Sequence, residues 1–253
     1  MAVEIGHLSL WLALAAALCL SVFPLIGVYR NLPAWQWYAR PLAWVQWLAM
    51  TVAMVALGYS FYIHDFSVAY VAGHSNSALP LAYRLSALCG GPAGSLLLWV
   101  WMLSGWAAMV GLLSRSVPLP MVARVLAVMG MISVGFMLFM LLTSNPFDRN
   151  LPWFPLDGAD LNPLLQDPGL ASHPPMLYAG YVGFSITFSF AVAALIEGRV
   201  DARWARIVRP WALTAWTFLT VGIALGASSG PYTPLTLPTN REVMASGGAA
   251  VSN

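Results

Sequence analysis

Six apolar runs constrain the fold of this chain more than any other sequence feature, because each is long enough to cross a lipid bilayer. A transmembrane helix needs about 20 consecutive apolar residues. An isolated strand would leave its backbone polar groups unpaired in lipid, so helices are favoured. The sequence therefore predicts an all-α, polytopic integral membrane protein with about six transmembrane helices. The runs cover His7–Tyr29, Pro41–Ile63, Ser95–Leu113, Val122–Thr143, Pro175–Ile196 and Pro210–Gly226.

The composition excludes a soluble protein. Of the 253 residues, 60% are hydrophobic and 8% are charged, whereas a soluble domain carries about 25% charged residues. We therefore expect the lipid bilayer to be the main partner of the surface. The eleven basic residues are arginines scattered along the chain. This pattern argues against nucleic-acid binding, which uses a clustered basic face.

The arginines are divided unequally between the two ends of the predicted helices. By the positive-inside rule, the loops richer in arginine lie in the cytoplasm. Both termini and the long loops His64–Gly94 and Ser144–Pro174 are then predicted to face outward, together with seven of the nine acidic residues. The eight arginines on the predicted cytoplasmic side are Arg30, Arg40, Arg115, Arg124, Arg199, Arg203, Arg206 and Arg209.

One histidine stands out as a candidate ligand. His173 precedes Pro174 and Pro175, and an apolar run follows. Proline suits the first turn of a helix, because its missing N–H would be unpaired there anyway. The pattern predicts that His173 lies at the mouth of a membrane helix, at the water interface. A neutral imidazole in such a position can serve as an axial ligand of haem iron.

The other polar residues give weaker signals. His7, His64 and His74 also fall on the predicted outer side, but polar residues collect wherever membrane helices end, so their position leaves their role open. No Ser-His-Asp or paired-carboxylate arrangement predicts a catalytic residue. Asp157, Asp160 and Asp167 lie in a proline-rich loop without EF-hand spacing, and a solvated loop is the better interpretation. Cys19 lies in an apolar run and Cys89 in a loop, so we expect no disulfide.

The loop before the third span carries two further patterns. Five apolar residues predict a short amphipathic helix on the membrane, with Arg84 toward water. The glycines of Gly90–Gly94 are expected to allow a tight approach into the span. The five apolar residues are Leu79, Leu81, Ala82, Leu85 and Leu88.

Several motifs together indicate a known family. They include Gly6-His7, Asn76-Ser77-Ala78-Leu79-Pro80, Leu161-Asn162-Pro163-Leu164-Leu165-Gln166-Asp167-Pro168-Gly169 and His173-Pro174-Pro175. On these residues, the chain resembles the N-terminal part of CcmF, the haem lyase subunit of the cytochrome c assembly family that also includes CcmC, NrfE and CcsA. The resemblance runs from about residue 4 to residue 226.

The resemblance implies a function. Proteins of this family hold haem at the outer face of the membrane, where two outward-facing histidines flank a tryptophan-rich segment and bind the iron. His173 falls on the first histidine of that pair. It is therefore the one predicted cofactor-binding residue and the one predicted metal ligand, to haem iron. The resemblance also implies that haem b arrives from the haem chaperone CcmE. Its vinyl groups are then joined to CXXCH cysteines of apocytochrome c, which is delivered with CcmH.

The chain departs from the family pattern at two places. The family reads close to WGGHEGS where Cys89–Ser95 stands here, so Pro92 and Ala93 replace a histidine and a glutamate. After Gly226, the family continues into the second outer histidine and into spans that hold a permanent b-type haem, whose ligands are absent from this chain. The sequence instead predicts a polar, disordered tail over 227–253, which indicates a truncation or a frame change. One axial imidazole holds haem weakly, and a stand-in second ligand is left open among His7, His64 and His74.

These observations lead to one main prediction and two alternatives. We expect residues 1–226 to form a CcmF-like transmembrane region, with the cytochrome c assembly domain beginning near residue 89. The chain is predicted to be a multi-pass haem-handling subunit of the bacterial inner membrane that is incomplete as a lyase on its own. It is alternatively a non-catalytic scaffold that docks a separately encoded C-terminal half, or a non-functional truncated fragment. A transporter or channel is disfavoured, because few charges lie within the spans.

Overall fold

A computed structural model describes residues 1–162, 168–198, 200 and 202–229 of the chain. Within these residues the protein is all-α, as predicted, and its one β-type pairing is an isolated bridge between Val68 and Arg149. The nine α-helices are α1 (Ala2–Tyr29), α2 (Pro33–Trp37), α3 (Ala39–Tyr62), α4 (Ala69–His74), α5 (Leu81–Ser86), α6 (Pro92–Leu113), α7 (Leu119–Thr143), α8 (Pro168–Glu197) and α9 (Ala202–Ser229).

Six of these helices have the length and apolar composition to cross a membrane, which confirms the predicted number of spans. They are α1, α3 with the short α2 before it, α6, α7, α8 and α9. Proline occupies the first turn of α2, α6 and α7, where its missing N–H costs the helix no hydrogen bond. The short helices α4 and α5, with the 3-10 turn Ala87–Cys89, lie in the loop between α3 and α6.

The buried side chains form two clusters. One cluster contains Leu10, Phe61, Leu97 and Met140, and it joins α1, α3, α6 and α7 to the loops at one end of the bundle. The other contains Leu126 and residues of α3, α6, α8 and α9 toward the opposite end. Helix α9 is the most exposed of the long helices, since only 17% of its most apolar window is buried.

Side-chain contacts near the helix ends show which ends lie together. Arg40 Nη2 donates to the carbonyl oxygen of Ser114 at 3.4 Å, and Arg124 pairs with Glu197 at 2.8 Å, so the arginine-rich connections meet at one end. At the other end, Arg149 pairs with Glu4. The six long helices therefore alternate in direction. The membrane side that each end faces stays a prediction.

Two sequence predictions differ from the structure in detail. Helix α8 begins at Pro168, so His173, Pro174 and Pro175 lie in its second turn instead of at its mouth. At these positions each proline lacks the N–H that would bond to the carbonyl oxygen four residues earlier. Helix α9 continues past Gly226 to Ser229. The predicted tail over 230–253 and the motif residues 163–167, with Asp167, lie outside the described residues.

Candidate functional site

His173 is held by the neighbouring helix. It lies on α8, and its Nδ1 atom is 2.7 Å from the carbonyl oxygen of Gly222 on α9. A carbonyl oxygen only accepts hydrogen bonds, so Nδ1 must carry the proton and donate it. The second ring nitrogen, Nε2, then carries the lone pair. The imidazole is partly buried.

Two glycines make room for this contact. Gly222 and Gly226 lie one turn apart on α9, opposite Leu177 and His173, which lie one turn apart on α8. A Cβ atom on Gly226 would stand 2.7 Å from the Cε1 and Nδ1 atoms of the His173 ring, and one on Gly222 would stand 2.6 Å from the backbone nitrogen of Leu177. Both positions therefore need a residue without a side chain, and the two glycines form a slot for the imidazole.

The arrangement fits an iron ligand. A metal-binding histidine usually donates its other ring N–H to a carbonyl or carboxylate, which fixes the tautomer and the orientation of the ring. His173 has this feature through Gly222. Among the described residues, no hydrogen bond engages its Nε2 atom, so this nitrogen is available to a ligand.

The lone pairs of two other histidines are engaged. The Nε2 atom of His7 accepts the indole N–H of Trp11 at 3.1 Å. Arg84 Nη1 lies 3.0 Å from the Nε2 atom of His64 and also donates to the carbonyl oxygen of Tyr62 at 3.0 Å. Because a protonated guanidinium only donates, the contacted nitrogen of His64 is an acceptor. Neither imidazole can bind iron through that nitrogen without breaking its hydrogen bond.

His74 resembles His173 in its protonation, and both imidazoles are partly buried. Its Nδ1 atom lies 2.9 Å from the carbonyl oxygen of Tyr70, one turn earlier on α4. The Nε2 atom faces Gly91, where a Cβ would stand only 2.5 Å away. His74 is thus packed into the loop that precedes α6. The similarity of the two imidazoles depends on three-dimensional contacts, which the sequence pattern did not reveal.

Tyr70 organises the glycine loop. Its hydroxyl accepts the N–H of Gly91 at 3.0 Å and lies 3.1 Å from the carbonyl oxygen of Leu88, to which it donates. A Cβ on Gly94 would overlap that Leu88 oxygen, so the predicted tight approach into the third span is present. Burial raises the pKa of the nearby Cys89 thiol to about 11. The replacement Pro92 is accommodated as the first residue of α6.

The predicted amphipathic segment is only partly interfacial. Helix α5 is a six-residue helix. Leu79 and Leu88 pack with the buried cluster, whereas Leu81 and Leu85 are exposed. Arg84 turns toward Tyr62 and His64 instead of extending freely into water. The segment therefore ties the loop between α3 and α6 to the end of α3.

The loop carboxylates have separate partners. Asp157 accepts hydrogen bonds from the backbone N–H of Ser77 at 2.9 Å and from its hydroxyl at 2.6 Å, and these bonds lower the pKa of Asp157. Asp160 accepts a hydrogen bond from Asn76. Their contacts join the two long loops. Within the described ranges, no three His, Cys, Asp or Glu side chains come together as a metal site.

Comparison with known proteins gives consistent matches. The family described as cytochrome C assembly protein matches residues 90–228. The cytochrome c-type biogenesis protein CcmF of Pseudomonas aeruginosa is 58% identical over 224 residues, which cover 88% of this chain and 34% of that protein. CcmF of Escherichia coli is 54% identical over 229 residues, covering 90% and 35%. NrfE of Haemophilus influenzae is 43% identical over 224 residues, covering 88% and 35%.

A solved structure agrees with these relatives. The chain matches the cytochrome c haem lyase CcmF with a TM-score of 0.74 at 28% identity, over 88% of this chain and 35% of that one. These matches confirm the resemblance to CcmF. The chain spans about a third of the length of the curated relatives it matches, which is consistent with a correspondence to the N-terminal part.

Proposed function

The chain belongs to the cytochrome C assembly protein family, and we propose on that basis that it handles haem during cytochrome c maturation. The proposed role is to present haem b, as a substrate, at the outer face of the bacterial inner membrane. Haem would supply the vinyl groups that become thioether links to the CXXCH cysteines of apocytochrome c. The partners proposed from family membership are CcmE, CcmH and apocytochrome c.

One observation carries the proposal. The Nδ1–H of His173 donates to the carbonyl oxygen of Gly222 at 2.7 Å, which leaves Nε2 for iron. Because the partner is a backbone carbonyl on another helix, the tautomer and the ring orientation are set before haem arrives. His173 is therefore proposed as an axial ligand, and the Gly222–Gly226 slot as the feature that positions it.

The orientation of the membrane helices is part of the proposal. We assign the end that carries the four histidines, both termini and the two long loops to the outer side, and the arginine-rich end to the cytoplasm. The contacts that gather Arg40, Ser114, Arg124 and Glu197 at one end support the assignment. A cysteine introduced at exposed Ala78, in a Cys19→Ser and Cys89→Ser background, should react with a membrane-impermeant maleimide from the outer side.

Haem titration tests the ligand directly. The purified chain in detergent micelles is titrated with reduced haem, and the Soret band is recorded. We expect the His173→Ala variant to lose at least tenfold in haem affinity, and added imidazole to restore the ligand-field spectrum. His64→Asn is the matched control, since Asn tolerates the positive φ of 58° at that position. An unchanged spectrum in His173→Ala would contradict the proposed ligand.

A maturation assay tests the function. Residues 1–229 of this chain would replace the matching segment of the Escherichia coli relative, in cells lacking their own CcmF. We expect holocytochrome c to form with the chimera and to fall sharply with His173→Ala. Equal maturation with both chimeras, together with retention of a co-purifying membrane chain, would instead support the scaffold alternative. Rapid degradation of every version would support the non-functional fragment.

A further inference from the structure

A large cavity lies far from the histidines, at the arginine-rich end of the bundle. It has a volume of about 560 Å³ and lies between the end of α6, the connection to α7 and the first half of α9. Its walls include Trp106, Met109 and Leu113 on α6, and Arg203 and Arg206 on α9. The cavity is therefore apolar on one side and positively charged at its end.

The two arginines are not neutralised by any described side chain. Arg203 makes no ion pair within the described ranges, and Arg206 Nε donates only to the carbonyl oxygen of Ala202, at 3.4 Å. Glu197 lines a small adjacent cavity together with Arg203, but its carboxylate is already paired with Arg124 at 2.8 Å. Both guanidinium groups are exposed and free to bind an anion.

The apolar side continues toward the middle of the membrane. A second cavity of about 290 Å³ shares Trp106, Met109 and Thr214 with the first and extends to Trp101 and Phe218. Leu113 and Trp101 are twelve residues apart on one helix, so at 1.5 Å per residue the combined groove is about 18 Å long. Half of the hydrocarbon core of a bilayer is about 15 Å thick. The groove thus has the length of one leaflet.

From these observations, we propose that the α6–α9 groove binds one anionic phospholipid. The phosphodiester lies between Arg203 and Arg206, because guanidinium groups match phosphate oxygens in geometry and charge. One acyl chain lies along Trp106, Met109 and Phe218. Basic pockets between transmembrane helices on the cytoplasmic side are a recurrent form of headgroup recognition. The proposal is independent of haem binding at His173.

Haem is a less suitable occupant of this groove. It is also a flat apolar molecule with anionic groups, but its iron requires an axial ligand. No histidine lines either cavity, and the sulfur of Met109 or Met102 is the nearest substitute in the two linings. A phospholipid needs only the charge and the apolar wall that the groove supplies.

Native mass spectrometry of the full chain tests the proposal. The protein is delipidated in detergent and offered equal concentrations of phosphatidylglycerol and phosphatidylcholine with the same acyl chains. We expect one phosphatidylglycerol to be retained with at least tenfold preference. The double variant R203Q/R206Q should lose at least fivefold of that preference. The control is R30Q, which removes an exposed arginine at the same end but outside the groove.

Two further measurements test whether the whole lipid is bound or only its phosphate. Met109→Trp fills the apolar wall without touching the arginines, and we expect it to weaken phosphatidylglycerol binding at least fivefold. Inorganic phosphate at the lipid concentration should displace little of the bound lipid. Equal retention of the two lipids, unchanged preference in R203Q/R206Q, or full displacement by inorganic phosphate would each overturn the proposal. Melting curves of the variants confirm that they are folded.

Discussion

The Nδ1 atom of His173 lies 2.7 Å from the carbonyl oxygen of Gly222, and this hydrogen bond links α8 to α9 at the histidine-bearing end of the bundle. Because of this bond, the position of the imidazole depends on both helices. Any change that moves α9 by a few tenths of an ångström should therefore change how His173 presents its Nε2 atom.

Gly226→Ala tests this dependence. The new methyl group would stand 2.7 Å from two atoms of the His173 ring, which is inside van der Waals contact, so the ring must rotate or α9 must shift. Overpacking of this kind costs about 1–3 kcal/mol. We expect lower haem affinity in the Soret titration and a lower melting temperature in detergent.

Gly135→Ala is the control for that substitution. Gly135 also lies within a membrane helix, but a Cβ there would meet no atom within 4 Å. Alanine is preferred over glycine in a helix by about 0.5–1 kcal/mol. Unchanged haem affinity and equal or higher stability are therefore expected. If the two alanine variants behave alike, the slot around His173 is not required.

Tyr70→Phe tests the anchoring of the glycine loop. The variant keeps the buried ring but removes the hydroxyl that accepts the N–H of Gly91 at 3.0 Å. A partly buried donor left without a partner costs about 1–3 kcal/mol. We expect a loss of stability in that range by denaturant titration. Tyr59→Phe, at an exposed position on α3, should change stability by less than about 0.5 kcal/mol.

The ion pair between Arg124 and Glu197 should contribute more to stability than the more exposed pair between Arg149 and Glu4. The side chains are 15% and 30% exposed, and they connect α7 to the end of α8. Glu197→Gln leaves the less exposed guanidinium without a carboxylate, and we expect a loss of stability of about 1 kcal/mol. Glu4→Gln removes a carboxylate that is 59% exposed and that faces Arg149 and the N-terminal ammonium, and we expect a smaller loss of stability because water screens exposed pairs. Equal decreases in melting temperature for the two variants would contradict this ranking.

The fold could be predicted from the sequence best where a single physical constraint determines the structure. The hydrocarbon core requires long apolar helices, so all six spans could be predicted, as could the grouping of Arg40 with Arg124 at one end. The predicted start of α8 is too late because Pro168, and not Pro174 or Pro175, is the first residue of the helix. His173, predicted at the mouth of that helix, lies in its second turn.

The details of the site depend on contacts between distant segments. The hydrogen bond from His173 to Gly222 joins residues 49 positions apart, and nothing in the local pattern specifies it. The same holds for Tyr70 and Gly91, and for the engagement of His64 by Arg84. Such pairings follow from the packing of whole helices, which the apolar periodicity of one segment does not determine.

The pH dependence of Cys89 gives a last prediction. Burial raises the pKa of this thiol from 9.0 to about 11, and thiol alkylation requires the thiolate. At pH 8 the thiolate fraction should thus be about a hundredfold lower than in the unfolded chain. Because the folded pKa is the higher one, the contribution of this thiol to stability is fully present below pH 9 and is lost between pH 9 and about 11.

Alkylation by iodoacetamide measures this shift in a Cys19→Ser variant, so that the mass increase reports Cys89 alone. Between pH 7 and 10, we expect the rate in the folded protein to rise about tenfold per pH unit without reaching a plateau. The same variant unfolded in detergent and urea should react about a hundredfold faster at pH 8 and level off above pH 9. A plateau below pH 9 in the folded protein would mean that the thiol is solvated, and that the loop between Tyr70 and α6 is open.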